Sequence, residues 1–224
     1  MIQYDLIVIG SGPAGQKAAI QAAKLHKRVA IVEKEAAVGG SSVNTGTLPS
    51  KTLKDSIYHL HGFKLRAFSN ISYSLKKSLT FRDLMARKDQ VIKNEVGIIS
   101  HQLERNDVDL VQGVASFVDS HTLEVANQSG HKDHFRASCI VIATGSRPRR
   151  ADSIPFDDLV ICDSDSILFT TNIPKSMVVM GGGVIGCEYA SMFASFGIKV
   201  TLLDRRSHLI RFVDQEIEIG RAHV

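Results

Sequence analysis

Two glycine-rich segments carry the clearest chemical signal in this sequence. Both have the spacing G-x-G-x-x-G, with the glycines Gly10, Gly12 and Gly15 in the first segment and Gly181, Gly183 and Gly186 in the second. In this pattern the first glycine permits a tight turn, the second lets a pyrophosphate approach the backbone, and the third lets a helix pack closely on a strand. The N–H groups at the start of that helix attract the phosphates. The spacing therefore predicts two dinucleotide sites.

An acidic residue follows each glycine segment at the same separation. These residues are Glu33, which precedes Lys34, and Asp204, which precedes Arg205. A carboxylate at this place accepts hydrogen bonds from the ribose hydroxyls of NAD, whereas a nearby arginine accommodates the 2′-phosphate of NADP. The second site has both signals, which predicts that it binds NAD and NADP. An incidental pair of solvated arginines, Arg205 and Arg206, is the alternative interpretation.

The elements that must position these residues repeat along the chain. Tyr4–Lys34 and Lys175–Arg205 align without a gap, each as a strand, a glycine turn, a helix and a second strand. The predicted strands are Leu6–Ile9 and Val29–Val32 in the first copy and Met177–Met180 and Val200–Leu203 in the second, with helices that end near His26 and Phe196. This strand–turn–helix context makes each glycine pattern much more specific than the pattern alone.

The chain between the two copies also alternates between helical and strand patterns. Helices are predicted over Pro49–Arg66 and Phe81–Arg105, strands over Val108–Val111, Ala115–Val118, Thr122–Val125 and Cys139–Ile142, and a turn at Asn127–Gly130. The pattern predicts an α/β protein with two Rossmann-like, doubly wound dinucleotide-binding domains, the second truncated. We assign residues 1–150 to a first dinucleotide-binding domain, 151–217 to the start of a second, and 218–224 to a non-native tail.

Composition argues against several other classes of protein. Apolar residues make up 44% and charged residues 22%, which is typical of a globular protein, and the net charge of +4 is too dispersed for a nucleic-acid interface. The N-terminal apolar run is too short for a signal peptide or a membrane span, so we expect a cytoplasmic protein. The cysteines Cys139, Cys162 and Cys187 form no close pair, and no histidine group has metal-ligand spacing. We expect buried cysteines and no metal.

Three segments resemble one family of flavoenzymes, the pyridine nucleotide-disulfide oxidoreductases. Gly39–Lys51 resembles the flavin-side loop and helix of that family, Ile142–Pro148 its second FAD motif, and Gly181–Glu188 its nicotinamide motif. The resemblance extends over residues 4–217 and implies that 1–150 form an FAD-binding domain and 151–217 the start of an NAD(P)-binding domain. It also implies that the complete enzyme is a homodimer of about twice this length and that the present chain alone is inactive.

The resemblance also implies roles for individual residues. The residues expected to bind FAD are Gly10, Gly12, Gly15, Glu33, Lys34, Gly40, Ser42, Lys51, Gly113, Thr144 and Gly145. The residues expected to bind NAD or NADP are Gly181, Gly183, Gly186, Asp204 and Arg205. Lys51 and Glu188 are expected to pair beside the reacting atoms, where an ammonium stabilises charge that develops on the flavin. A surface lysine and a surface glutamate with no such role are the alternative.

One departure from the family pattern decides which chemistry is expected. Ser42 and Thr47 stand where the disulfide-reducing members have two cysteines, and a hydroxyl cannot cycle through a disulfide. Hydride transfer needs no such pair, because a flavin accepts a hydride from one nicotinamide and returns it to another. Asp163–Leu168 and Phe212–Glu216 resemble the transhydrogenase branch of the family. We therefore predict FAD-dependent hydride transfer between NADPH and NAD.

Two other functions are compatible with the same residues. The first is a relative of dihydrolipoamide dehydrogenase or mercuric reductase that lacks the cysteines and acts as a diaphorase toward quinones or oxygen. The second is a non-catalytic protein that binds FAD. Coupled oxidation of NADPH and reduction of an NAD analogue separates these functions from a transhydrogenase.

Overall fold

A computed structural model describes residues 2–65, 81–171, 173–210, 212–214 and 216, and no side chains over 60–65. The predicted non-native tail at 218–224 and the predicted helix end at Arg66 lie outside the described residues. The chain divides into two compact units, Met1–Ser50 with Lys88–Ala151 and Lys51–Arg87 with Asp152–Val224. The division into domains of residues 1–150 and 151–217 stays a prediction.

The first unit contains a six-stranded sheet. Its strands are β1 (Ile2–Ile9), β2 (Val29–Glu33), β3 (Val108–Gln112), β4 (Val114–Phe117), β5 (Thr122–Ala126) and β6 (Lys132–Ile142). The order is β3-β2-β1-β6-β5-β4, in which the first four strands are parallel and the last two pair antiparallel. Ile9 pairs with both Val32 and Ile142, so the carboxyl ends of the central strands meet at one edge.

Helices join β1 to β2 and β2 to β3, and they contribute to the apolar cluster on one face of this sheet. They are α1 (Pro13–Lys24), α2 (Gly40–Asn44), α3 (Thr47–Leu65), which runs from the first unit into the second, and α4 (Phe81–Glu104), which returns. Ala19 of α1 and Ile99 and Leu103 of α4 pack with Val8 and Ile31 in one apolar cluster. The cluster on the other face consists of strand residues alone. The predicted α/β, Rossmann-like fold is confirmed, with strands β4 and β5 taking the place of a helix between β3 and β6.

The second unit repeats the same motif on a smaller scale. Strand β7 (Ser176–Met180), helix α5 (Val184–Phe196) and strand β8 (Lys199–Leu203) form a parallel βαβ element. Met192 and Phe193 of α5 pack with Leu53 of α3 and with Leu168 from a short 3₁₀ helix, Ser166–Phe169. Alternate residues of β7 and β8 are exposed, whereas all five residues of β2 are buried. The second strand pair is therefore covered on one face.

Three local features differ from the sequence prediction. Strand β6 begins at Lys132 and not at Cys139, because the turn at Asn127–Gly130 extends its pairing with β5. Helix α2 is not predicted, since Gly-Ser-Ser-Val-Asn has low helix propensity; the Asn44 side chain stabilises it by donating to Val38 O and Gly40 O. The expectation of buried cysteines is wrong, because Cys139 is exposed.

The described residues also bear on membranes and metals. Over the described ranges, every helix is too short or too polar to traverse a bilayer. Within the same ranges, no group of three or more His, Cys, Asp and Glu side chains is placed to hold a metal ion.

Candidate functional site

The first glycine turn joins β1 to α1, and two of its glycines are required by packing. Gly10 has a φ of +104°, and a Cβ there would overlap the carbonyl of Ala143, which follows β6. A Cβ on Gly15 would overlap the carbonyl of Gly10 and lie 3.2 Å from Val8 Cγ1. The turn, the helix and two strands can therefore approach one another only because side chains are absent here.

Gly12 has a different role, because its missing side chain leaves open space. It is the N-cap of α1, and the atom nearest to an added Cβ is Gly40 Cα, at 4.0 Å. Gly40 has a φ of +60°, and a Cβ on it would lie 2.8 Å from Gly12 Cα. Among the residues that the structure describes, no side chain caps α1, so its first N–H groups are suited to a phosphate. The turn thus fits a pyrophosphate that passes over Gly12.

Glu33 lies at the end of β2, and the residue is only 6% exposed. Its Oε2 accepts hydrogen bonds from Ser11 N at 2.9 Å and Ser11 Oγ at 2.5 Å, and its Oε1 accepts from Glu35 N at 2.9 Å. Burial raises the pKa of Glu33, but the hydrogen bonds from Glu35, Ser11 and Lys34 outweigh it and lower that pKa. Glu33 is therefore ionised at neutral pH and can accept from ribose hydroxyls.

We expect Glu33→Gln to destabilise the first unit by about 1–3 kcal/mol at neutral pH, because one carboxylate oxygen is replaced by a donor. Because the pKa of Glu33 is lowered by folding, its stabilisation is present above its unfolded pKa of about 4.3 and is lost as pH falls through the folded value. The variant should therefore lose part of the acid sensitivity. Urea unfolding of the complete protein at about pH 7 and about pH 4 measures both effects.

Glu35→Gln is the matched control, because the Glu35 side chain is 69% exposed and pairs with Lys34 at 3.4 Å. Its expected change is within about 0.5 kcal/mol. Equal unfolding midpoints for Glu33→Gln and Glu35→Gln would contradict the role assigned to the Glu33 carboxylate.

The other residues predicted to bind FAD lie in the same unit, except for Lys51, which belongs to the second unit. Gly113 donates to Glu33 O at 2.8 Å, which places the end of β3 beside Glu33. Gly145 has a φ of +68° with no described atom within 4 Å of an added Cβ, and Thr144 precedes it after β6. The Ser42 hydroxyl donates to Gly39 O at 3.3 Å. The structure thus brings Gly10, Gly12, Gly15, Glu33, Gly40 and Gly113 together at one sheet edge.

Two buried polar residues of this edge were missed by the sequence analysis. Ser11 is fully buried, donates through Oγ to Glu33, and accepts at Oγ from Gly39 N at 3.1 Å. Gln16 donates to Ser11 O at 2.7 Å. These contacts fix the acid and the start of α2 relative to the glycine turn. Alignment of the two repeats could have identified Ser11, because it matches Gly182. The Gly182 N–H donates to Asp204, the acid of the second repeat.

The second glycine turn has the geometry of the first. A Cβ on Gly186 would overlap the carbonyl of Gly181, as Gly15 would overlap Gly10. Gly183 is the N-cap of α5, and no described atom lies within 4 Å of an added Cβ. An open cavity beside the turn is lined by Met180, Gly181, Leu203, Asp204, Arg205 and Arg206. Of the predicted nicotinamide-nucleotide residues, Gly181, Asp204 and Arg205 line this cavity, whereas Gly183 and Gly186 do not.

Asp204 forms a bidentate ion pair with Arg206, which the sequence analysis did not select. Arg206 donates from Nη2 to Asp204 Oδ2 at 2.7 Å and from Nε to Oδ1 at 2.9 Å. The hydrogen bonds from Arg206 and from Gly182 N hold the pKa of Asp204 far below its usual range. Arg205, the arginine we selected, lines the cavity but is not the partner of this carboxylate.

Lys51 and Glu188 are brought together within the second unit. Lys51 Nζ lies 2.9 Å from Glu188 Oε1, and Lys54 Nζ lies 3.4 Å from the same oxygen. Glu188 is 19% exposed; burial raises its pKa, but Lys51 and Lys54 outweigh burial and lower it. Lys54 was missed, although its i+3 spacing from Lys51 places both lysines on one face of α3. The result is an ionised carboxylate shared by two ammonium groups.

The Asp163–Leu168 segment is hydrogen-bonded to α5 through Tyr189. Asp163 Oδ1 accepts from Ser166 N at 2.8 Å, and Ser166 Oγ accepts from Asp163 N at 3.0 Å, so the turn before the 3₁₀ helix is held by reciprocal hydrogen bonds. The Tyr189 hydroxyl, whose pKa is raised by burial, donates to Ser164 O at 3.0 Å. Because Tyr189 follows Glu188, this segment helps to fix the position of the carboxylate.

Comparisons with known proteins agree on one family. The family model described as pyridine nucleotide-disulphide oxidoreductase matches residues 4–219. A soluble pyridine nucleotide transhydrogenase of Mycobacterium bovis is 49% identical over 97% of this chain and 47% of its own length, and one of Colwellia psychrerythraea is 42% identical over 96% and 46%. The HOCl-induced flavoprotein disulfide reductase RclA of Escherichia coli, solved as a Cu(II) complex, has a TM-score of 0.83 at 30% identity over 99% of this chain and 47% of its own. The chain spans about half the length of these relatives.

Proposed function

The chain belongs to the pyridine nucleotide-disulphide oxidoreductase family, and from that premise we propose that it forms the N-terminal half of an FAD-dependent enzyme that transfers hydride between NADPH and NAD. Relatives named soluble pyridine nucleotide transhydrogenase share up to 49% of its residues. The proposal depends on the pair Ser42 and Thr47, which by the family resemblance stand at the positions of the redox cysteines. Without thiols there, the flavin has no disulfide to reduce, and direct hydride exchange with nicotinamides is the route that we propose.

The first unit has the features that FAD requires. The open backbone at Gly12 and the uncapped start of α1 fit the pyrophosphate, and the ionised Glu33 fits a ribose hydroxyl pair. When bound, FAD supplies a two-electron acceptor that takes hydride from one nicotinamide and returns it to another. We assign the FAD-binding role to Gly10, Gly12, Gly15, Glu33, Lys34, Gly40, Ser42, Lys51, Gly113, Thr144 and Gly145.

Lys51 and Glu188 are proposed as the residues that support hydride transfer. The Lys51 ammonium is 59% exposed yet held at 2.9 Å by Glu188, so it keeps a fixed position while remaining accessible. A positive charge held in place stabilises negative charge that develops beside it during a reaction without a cost of reorganisation. Gly181, Gly183, Gly186, Asp204 and Arg205 are proposed to bind NAD and NADP.

We expect the complete protein, purified with FAD, to couple NADPH oxidation to the reduction of thio-NAD in a one-to-one ratio. Two-substrate kinetics should be ping-pong, because one nicotinamide leaves before the other reacts. Thio-NADH absorbs at a longer wavelength than NADPH, so both reactions are followed in one cuvette. A dithiol substrate such as dihydrolipoamide should remain unreacted, because no thiol pair is present in the Gly39–Ser50 segment.

The alternatives predict different results in the same experiment. Brisk quinone reduction without transfer to thio-NAD would identify a diaphorase, and a bound flavin that NADPH fails to bleach under anaerobic conditions would identify a non-catalytic FAD protein. Efficient dihydrolipoamide oxidation would overturn the proposal outright.

The assembly and location of the complete protein are part of the same proposal. We expect a cytoplasmic homodimer, and we expect the 224-residue chain alone to retain FAD poorly and to transfer no hydride. Size-exclusion chromatography of the complete protein and the flavin absorbance of the shorter chain test these two expectations.

A further inference from the structure

The residue two positions after the acid is different in the two glycine repeats, Glu35 in the first and Arg206 in the second. In the first unit Glu35 N donates to Glu33 Oε1 at 2.9 Å, and at the matching position of the second unit Arg206 N donates to Asp204 Oδ1 at 2.8 Å. The backbone geometry is therefore the same in both. The side chain differs, because the first unit has a second acid at this position and the second unit has an arginine that returns to the carboxylate.

The contacts of Asp204 leave its carboxylate fully occupied. Oδ1 accepts from Arg206 N and Nε, and Oδ2 accepts from Gly182 N and Arg206 Nη2, so each oxygen has two donors. A carboxylate has about four acceptor positions, so none remains for a ribose hydroxyl. The carboxylate is 8% exposed and the arginine is 44% exposed. Only movement of the Arg206 side chain frees the carboxylate.

The Asp204–Arg206 pair also affects how the cavity can bind the 2′-phosphate of NADP. A bare carboxylate beside the ribose repels the 2′-phosphate of NADP, because like charges at close range cost several kcal/mol. The Arg206 guanidinium neutralises that carboxylate and has further N–H groups, which are suited to a phosphate. Arg206 also lines the open cavity beside Gly181. One side chain thus removes a repulsion and offers donors.

We propose that the Asp204–Arg206 pair is a switch that lets this site accept both nicotinamide cofactors. With NADP, Arg206 stays on Asp204 and presents its remaining N–H groups to the 2′-phosphate. With NAD, Arg206 leaves the carboxylate, and Asp204 accepts from the free ribose hydroxyls. The proposal rests on the nicotinamide-binding role of this site in the proposed function, and it assigns the choice of cofactor to Arg206, beside the predicted Arg205.

Two adenosine fragments test the switch without any flavin chemistry. Binding of 2′,5′-ADP and of 5′-AMP to the complete FAD-loaded protein is measured by calorimetry for the wild type, Arg206→Met, Arg206→Lys and Asp204→Asn. Arg206→Met should weaken 2′,5′-ADP about ten- to hundred-fold, as for a lost charge-assisted contact, and leave 5′-AMP within about three-fold. Asp204→Asn should weaken 5′-AMP and spare 2′,5′-ADP. Arg206→Lys keeps the positive charge but loses the planar guanidinium with its paired N–H donors. Its selectivity between 2′,5′-ADP and 5′-AMP should therefore lie between those of the wild type and Arg206→Met.

Controls separate the switch from general effects. Arg105→Met removes an exposed arginine of the first unit and should change neither affinity, and circular dichroism and flavin content report folding of each variant. If Arg206→Met weakens both fragments equally or neither, the switch is wrong. If Arg205→Met alone removes the preference for 2′,5′-ADP, Arg206 is not the residue that selects the cofactor. Wild-type protein that binds neither fragment would overturn the nicotinamide site itself, and with it the proposed function.

Discussion

Gly12→Ala is expected to abolish FAD binding while the protein stays folded, whereas Gly15→Ala is expected to unfold the first unit. A Cβ on Gly12 meets no atom closer than 4.0 Å and the φ of −65° suits alanine, so the polypeptide tolerates it. That Cβ would fill the space over the start of α1, where the pyrophosphate must approach the backbone. We expect FAD affinity to fall at least about hundred-fold, or about 3 kcal/mol.

Gly15→Ala tests packing in the opposite way. Alanine has the higher helix propensity by about 1 kcal/mol, so propensity alone predicts that this change stabilises α1. The new Cβ would, however, overlap the Gly10 carbonyl, which belongs to the backbone and cannot rotate away. Overpacking against movable side chains costs about 1–3 kcal/mol, and a backbone clash should exceed that range. The sign of the measured change therefore decides between propensity and packing.

Thermal unfolding and FAD titration of apoprotein separate the two effects. Gly183→Ala and Gly186→Ala are the matched pair in the second unit, with open space at the first and overlap with Gly181 O at the second. Gly183→Ala should lose nicotinamide-nucleotide binding and keep FAD. A Gly12→Ala protein that binds FAD like wild type, or a Gly15→Ala protein that gains stability, would refute the assigned roles.

The sequence predicted the repeated βαβ elements well because their signals are local. Apolar runs, small residues and glycines at fixed spacing determine the strand, turn and helix without reference to distant parts of the chain, and each predicted strand of both repeats is present. The ends of some strands, in contrast, depend on pairing with segments that are distant in the sequence. The start of β6 at Lys132 follows from its ladder with β5, which no single segment reveals.

The candidate sites were predicted in part for the same reason. Family resemblance identified Lys51 and Glu188, and the structure places them 2.9 Å apart. Ser11 and Arg206 were missed, because each becomes informative only when its acid partner is known to fold against it. The repeat alignment contained part of this information, since Ser11 and Gly182 occupy matching positions and each donates through its N–H to the acid of its own repeat.

Lys51→Met in the complete protein is expected to slow anaerobic bleaching of bound FAD by NADPH about 10²–10³-fold. Loss of one donor that is held in place against developing charge has this effect on other enzymes. The flavin midpoint potential should also fall, because removal of a positive charge disfavours the reduced state. Stopped-flow absorbance measures the rate, and flavin content confirms that the variant still binds FAD.

Lys54→Met is the matched control, because Lys54 lies on the same helix and contacts the same Glu188 oxygen at the longer distance of 3.4 Å. Loss of the Lys54 ammonium should slow bleaching less than about ten-fold, because Lys54 only helps to position the Glu188 carboxylate. Lys51→Arg keeps the charge and should restore part of the rate and most of the potential. If Lys51 contributed only a general surface charge, Lys51→Met and Lys54→Met would slow bleaching by the same factor.

Glu188→Gln completes the argument through a double-mutant cycle with Lys51→Met. The lowered pKa of Glu188 keeps it ionised above its ordinary value of about 4.3, so its contribution should not vary between about pH 6 and pH 8. If Glu188 acts by holding Lys51, the double variant should be no slower than Lys51→Met alone. An exposed ion pair without a catalytic role contributes about 1 kcal/mol or less, and its loss would leave the bleaching rate unchanged. Additive rate losses, or none, would mean that Lys51 and Glu188 do not act together in hydride transfer.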